Sequence, residues 1–261
     1  MVTKNTYSHE RFIYEIDTFG FSVLPQVFSQ DEMSLMNEVL DSINNELSLG
    51  KTQFKYGCKV GKPELLPEEA YISNIVEQDP RLYFLIDHQL LIEKVRSIMI
   101  GRIRLNHTYS IDRLGRGGYT YMHMGGFPIH PRATYSIRGT QIHSSLTKVV
   151  IPLEGFAAED GVFAVLPGSH KANFERPYSN VPEENYGILP VESKSGDVVI
   201  FTDALAHGSF EKKSLGRRRA LFLTYSVASL PDWGGRLQLS FSPDFVSELS
   251  ESQKEIISLD I

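Results

Sequence analysis

The chain has 261 residues, 41% hydrophobic and 22% charged, which supplies a core and argues against disorder. Lysine and arginine total 26 against 32 aspartates and glutamates, a formal charge of −6 without a basic arm, so nucleic acid and anionic membranes are poor partners. The single cysteine, Cys58, rules out an intrachain disulfide and a cysteine-rich zinc site, and no apolar run reaches the ~18 residues of a membrane span.

Residues 20–25 (GFSVLP) form a short apolar strand. Ser29 follows, able to cap a helix, with Glu32 placed to bond back to it. Met33, Met36, Leu40, Ile43 and Leu47 then recur at helical spacing, which predicts an amphipathic helix over 30–47. Residues 49–70 carry glycine, proline and lysine without periodicity and read as a surface loop. After Pro80, the residues Leu82, Leu85, Ile86, Leu90, Val95 and Ile98 share one face, predicting a second helix that Gly101 ends.

Beyond Gly101 short β-rich runs follow one another: RIRLNHTYSI, YTYMHM, TYSIR, LTKVVIPLE, GVFAVLP, YGILPVE, DVVIF and RALFLTYSV. Many short strands separated by turn signals predict a mainly β sandwich or barrel with the helices packed outside. The expected organisation is one domain: helical support over 1–101, barrel core over 102–230, and a tail over 231–261. The N-terminus lacks a signal-like apolar segment, so the expected location is cytoplasmic.

Of eight histidines, three stand at predicted strand ends: His123 in YTYMHMGG, His143 in TQIHSSL and His207 in DVVIFTDALAHGSF. A strand end at a barrel mouth fixes an imidazole while leaving one side open for a ligand. Ser209 and the run Arg217, Arg218, Arg219 come next. Alternation of side chains along a strand turns one or two of these guanidiniums inward, where a carboxylate would be bound bidentately.

Three segments, in order, resemble the phytanoyl-CoA dioxygenase family of iron(II)/2-oxoglutarate-dependent oxygenases: DTFGFSVLPQVFSQDEMSLMNEVLD, EDGVFAVLPGSHKANF and SGDVVIFTDALAHGSFEKKSLGRRRAL. The resemblance implies a double-stranded β-helix, a jelly-roll or cupin-like core, together with iron(II), 2-oxoglutarate and dioxygen. Residue by residue, it implies His207 as the distal iron ligand and Arg218 as the grip on the remote carboxylate of 2-oxoglutarate. Ser209 would assist that grip, while Arg217 and Arg219 should face the other way.

The family's His-x-Asp motif departs here to His123-Met124-Gly125, and a glycine cannot coordinate iron. Three explanations stand open. Gly125 leaves room for a halide such as chloride, as in the aliphatic halogenases that look like this at the motif. Alternatively Asp203, His130 or His143 replaces the lost ligand, or the metal site has decayed and the barrel only binds a ligand. The expected chemistry is activation of an aliphatic C–H bond of a small molecule, by hydroxylation or chlorination.

Other residues carry two readings each. Asn106 and Tyr109, on a strand that should line the barrel with His107, either bond the cofactor or satisfy a buried strand. His170 in the PGSHK turn reads as structural, Asp197 as a turn residue, and Trp233 as a cover for the mouth or an anchor for the tail. The stretch 126–141 should form a lid or pocket wall, where Arg132 and Arg138 hint at an anionic substrate.

Overall fold

The structure is a computed structural model that describes residues 8–48, 69–124, 133–230 and 241–257. Helix α1 (His9–Phe19) starts at the cap Ser8, whose side chain accepts from the Arg11 amide, and ends at Gly20 with φ 85°. Strand β1 (Phe21–Leu24) leads into α2 (Gln30–Ser48). The capping box forms as expected: the Ser29 amide donates to Glu32 at 2.7 Å and the Glu32 amide to Ser29 Oγ at 3.3 Å.

Strand β2 (Glu69–Ser73) and the short helix α3 (Ile75–Gln78) precede a 3₁₀ turn at Pro80–Leu85 and then α4 (Gln89–Ile98). The single helix expected after Pro80 is therefore two pieces. The burial phase shows why: Leu82, Leu85 and Ile86 are buried, but next come Leu91, Ile92 and Val95, with Leu90 only half-buried. A break at Asp87 and His88 lets both apolar sets reach the core, and the His88 ring packs on Phe28 at 4.9 Å.

The barrel is assembled from β3 (Ile103–Leu114), β4 (Thr120–His123), β5 (Tyr135–Arg138), β6 (Gln141–Ser144) and β7 (Leu146–Pro152). It continues through β8 (Phe163–Val165), β9 (Leu189–Val191), β10 (Val198–Thr202), β11 (His207–Ser209) and β12 (Arg217–Val227). Among the described residues, one antiparallel sheet runs β1-β10-β7-β12-β3-β2 and faces a second ordered β4-β11-β8-β9, while β5 and β6 make a separate hairpin. The core is thus the expected jelly roll. Strands β1 and β2 from the helical third complete its larger sheet, which the sequence boundaries at 101 and 102 do not convey.

Alternation sorts the large sheet into two faces. Val149, Ile151, Ile200, Leu221, Leu223 and Tyr225 pack outward against the helices. Val150, Val199, Phe201, Ala220 and Phe222 point inward to meet Phe163 and Val165 of the smaller sheet. The C-terminal stretch is more than a tail: α5 (Pro243–Glu248) and α6 (Glu251–Ile257) bury Phe245, Ile256 and Ile257 in the helix-side core. Each such side chain contributes ~1.5–3 kcal/mol when fully buried. The expected loop falls outside the described residues over 49–68, and its last residues begin β2.

Candidate metal and cofactor site

Strands β4 and β11 pair so that His207 stands opposite His123, with ring centroids 4.1 Å apart. The approach depends on Gly208, where an added Cβ would lie 2.5 Å from the Thr120 carbonyl oxygen. Next to His123, Met124 adopts φ 62°, a left-handed conformation that costs a non-glycine residue ~1–2 kcal/mol.

Both imidazoles are oriented in the same way. His123 Nδ1 lies 2.7 Å from the Tyr121 carbonyl and His207 Nδ1 lies 2.7 Å from the Leu205 carbonyl. A carbonyl can only accept, so Nδ1 carries the proton and Nε2 keeps a lone pair, the tautomer a metal needs. Burial, then the Lys148 charge, lowers the pKa of His123. Burial, then His123 and Lys148, holds His207 well below the ordinary histidine value. At neutral pH both rings are uncharged.

Behind the histidines lies a cavity of about 50 Å³ bordered by both rings, Lys148, Ser209, Arg218 and Tyr109 and closed by Phe163, Phe201 and Phe222. Arg218 is buried, with its guanidinium 4.6 Å over the Phe156 ring. Ser209 Oγ accepts from the Thr120 amide at 2.8 Å and from Arg113 Nη1 at 3.0 Å. Two accepted bonds leave the hydroxyl proton to donate elsewhere. Arg113 also reaches Thr120 Oγ1 and sits directly opposite Arg218 in the β3–β12 register. Sequence reasoning missed this second guanidinium, although its even spacing from Tyr109 and Ile111 puts it on the inward face.

Tyr109 lines the cavity in a near-parallel stack on Phe222, centroids 4.4 Å apart, and burial raises its phenol pKa. Asn106 lies farther along the strand, at the β3 irregularity, and donates to Ser226 Oγ at 2.9 Å; it does not border the cavity.

A buried ion pair was also missed. Lys148 Nζ lies 2.9 Å from Asp203 Oδ1, and that same oxygen is 3.8 Å from His207 Nε2. Burial opposes the lysine charge, but Asp203 and Tyr109 outweigh it and raise the Lys148 pKa above its usual value. The signal was a lone lysine inside the run LTKVVIPLE, whose strand β7 is buried at every position. Among the described residues no three histidine, cysteine, aspartate or glutamate side chains are already gathered as a metal-binding group.

The remaining expectations divide clearly. His143 lies in the separate β5–β6 hairpin and does not border the cavity. Arg219 does face the other way, bonded to Asp112, Asp41 and Asn37, and Arg217 joins it at Asp41. His170 is structural, its Nε2 3.1 Å from the Asp17 carbonyl oxygen and its ring edge-on to Tyr135. Asp197 caps its turn, accepting from the Lys194 and Gln26 amides. Gly125, His130, Arg132 and Trp233 lie outside the described residues, as do residues 126–132 of the expected lid; its remainder carries β5, with Arg138 exposed, and the turn into β6. No helix among the described residues is long and apolar enough to cross a membrane.

The sequence profile described as Phytanoyl-CoA dioxygenase (PhyH) matches residues 16–220. A curated relative, the dioxygenase lolE1 of Epichloe uncinata, is 28% identical over 113 residues, 41% of this chain and 43% of the relative, so the match spans less than half of that protein. Among solved structures, HygX from Streptomyces hygroscopicus with nickel, 2-oxoglutarate and hygromycin B bound superposes with TM-score 0.71 at 24% identity, covering 87% of this chain and 90% of that one. AviO1 from Streptomyces viridochromogenes gives TM-score 0.64 at 16% identity, covering 85% and 96%. SnoK, a non-heme alpha-ketoglutarate-dependent carbocyclase from nogalamycin biosynthesis, gives 0.63 at 15% identity, covering 94% and 92%. At such identities the likeness shows a shared fold.

Proposed function

The chain belongs to the phytanoyl-CoA dioxygenase family, and from that premise we propose an iron(II)- and 2-oxoglutarate-dependent oxygenase that activates an aliphatic C–H bond of a small molecule. The observation that carries this reading is the facing pair His123 and His207, each with Nδ1 tied to a carbonyl and Nε2 left to bind. The donor chemistry fits iron(II): two neutral imidazoles, with the buried Asp203 carboxylate close by. When bound, iron(II) with 2-oxoglutarate and dioxygen supplies the oxidising power that breaks the C–H bond.

The protein's own residues would hold and shield these groups. His123 and His207 would bind the metal, Arg218 would take the remote carboxylate of 2-oxoglutarate, and Ser209 would add its remaining hydroxyl proton. Arg113 would keep that serine in place and contribute a second positive field. A five-carbon dicarboxylate exceeds the 50 Å³ cavity, so its entry would move the Phe163 and Phe222 rings that close the site. Those rings would then keep water from the reacting centre. Tyr109 would form the wall, and Asn106 would act from farther out.

Gly125 keeps both outcomes at the substrate in view, hydroxylation or chlorination with chloride as a further ligand. The substrate reading is a small polar molecule, anionic if Arg138 takes part; the HygX complex with hygromycin B supports a small-molecule occupant. The test is turnover of 2-oxoglutarate. Aerobic protein with iron(II) should release succinate, and His207→Ala should abolish release. Equal succinate from the variant would overturn the assignment.

A further inference from the structure

Asp203 lies in the turn between β10 and β11, four residues ahead of His207, and is fully buried. Its Oδ1 is near Lys148 and His207, both of which line the cavity, which puts the carboxylate beside the histidine pair. Oδ1 meets Lys148 Nζ at 2.9 Å and stands 3.8 Å from His207 Nε2. Oδ2 is buried and accepts no hydrogen bond. A carboxylate kept only for an internal ion pair normally has its remaining lone pairs satisfied, because an unsatisfied buried acceptor is costly. Here Oδ1 faces both the lysine and an imidazole whose Nε2 awaits a cation, and Oδ2 is uncommitted. At position 125, two residues beyond His123, the side chain that would otherwise supply a carboxylate is absent.

We propose that Asp203 supplies the third protein ligand of the metal site, the carboxylate having moved from the His123 strand to the turn before His207, with Lys148 as its ammonium partner. The proposal rests on the iron-oxygenase reading above and deepens it. Lys148 would hold the carboxylate in place, as outer-shell groups orient metal ligands, and leave carboxylate lone pairs beside His207 Nε2 for the metal. Two histidines and a carboxylate would then complete the protein's share of a facial site. A carboxylate in that position leaves no vacancy for a halide, so the chemistry would be oxygenation rather than chlorination.

The test is metal affinity, read with cobalt(II) by its visible spectrum and with iron(II) under anaerobic conditions, in full-length protein. Asp203→Ala should weaken binding at least tenfold and alter the cobalt spectrum. Because that variant leaves Lys148 charged and buried, the double variant Lys148→Met with Asp203→Ala removes both charges and keeps the fold testable. It too should lose at least tenfold in affinity while retaining its circular dichroism. A folded double variant that binds cobalt like the wild type would overturn the proposal and leave the pair as packing alone. Chloride should leave the spectrum of the wild-type iron(II)–2-oxoglutarate complex unmoved; a chloride-dependent shift would overturn it as well. A wild-type protein that binds neither metal would instead bring down the oxygenase reading on which the proposal stands.

Discussion

Arg113 Nη1 donates to Ser209 Oγ at 3.0 Å, tying the strand that faces Arg218 to the strand that carries His207. The bond leaves Ser209 as a held hydroxyl rather than a free one. Arg218→Met should raise the 2-oxoglutarate dissociation constant at least tenfold, since a hydrogen bond to a charged group contributes ~1.5–3 kcal/mol. Ser209→Ala should raise it less, and Arg113→Met should have an effect of its own by releasing the serine. Calorimetric titration with 2-oxoglutarate on metal-loaded protein measures all three; an unchanged constant in Arg218→Met would remove the anchor.

Gly208 is the site's closest backbone approach. In Gly208→Ala the new Cβ cannot sit 2.5 Å from the Thr120 carbonyl oxygen, so β4 must shift and carry His123 with it. The expected outcome is a folded protein with metal affinity down tenfold or more. Wild-type affinity in this variant would show that the strand spacing does not set the histidine pair.

The arginines of the run Arg217, Arg218, Arg219 separate by face, as their alternation predicted. Arg219, 1% exposed, is enclosed by Asp112, Asp41 and Asn37 on the helix side. Removing one member of a buried pair strands the other's charge, so Arg219→Met should cost ~3–5 kcal/mol. Urea denaturation measures the loss, and metal affinity of the folded protein should be unchanged. Impaired metal binding with intact stability would place Arg219 in the site instead.

His170 makes a pH prediction. Burial first, against the opposing bond to the Asp17 carbonyl, lowers its pKa to about 4. A histidine depressed in the folded state binds fewer protons there than when unfolded. Its stabilising term is therefore complete above the unfolded value of ~6.5 and is lost as pH falls from there towards about 4, up to ~3 kcal/mol in all. Urea midpoints measured across that window should decline in the wild type and decline less steeply in His170→Gln. Equal slopes would refute it.

Much of this architecture was legible because period and punctuation carry it. The Ser29–Glu32 cap, the α2 stripe, the short strands and the splitting of the arginine run between two faces follow from local rules, while the family resemblance singled out Arg218 and His207. What escaped depends on contacts made far along the chain. Leu90 and Leu91 differ by one position in a pattern that tolerates either, so the break at His88 left no mark. Strand β2 is defined by its partner β3 more than by its own composition. Arg113 and Lys148 acquire meaning only when β3, β7, β10 and β12 bring Ser209 and Asp203 to them. His143 looked like His207 in sequence, a histidine ahead of serine in a β-rich run, and only the pairing of its strand into the separate β5–β6 hairpin distinguishes it.

The most direct measurement is the visible spectrum of the protein mixed with iron(II) and 2-oxoglutarate in the absence of oxygen. Wild type should develop a metal-to-ligand charge-transfer band, and His207→Ala or His123→Ala should lack it. A band that persists at full strength in either variant, or its absence from the wild type, would contradict a ferrous centre held by these two imidazoles.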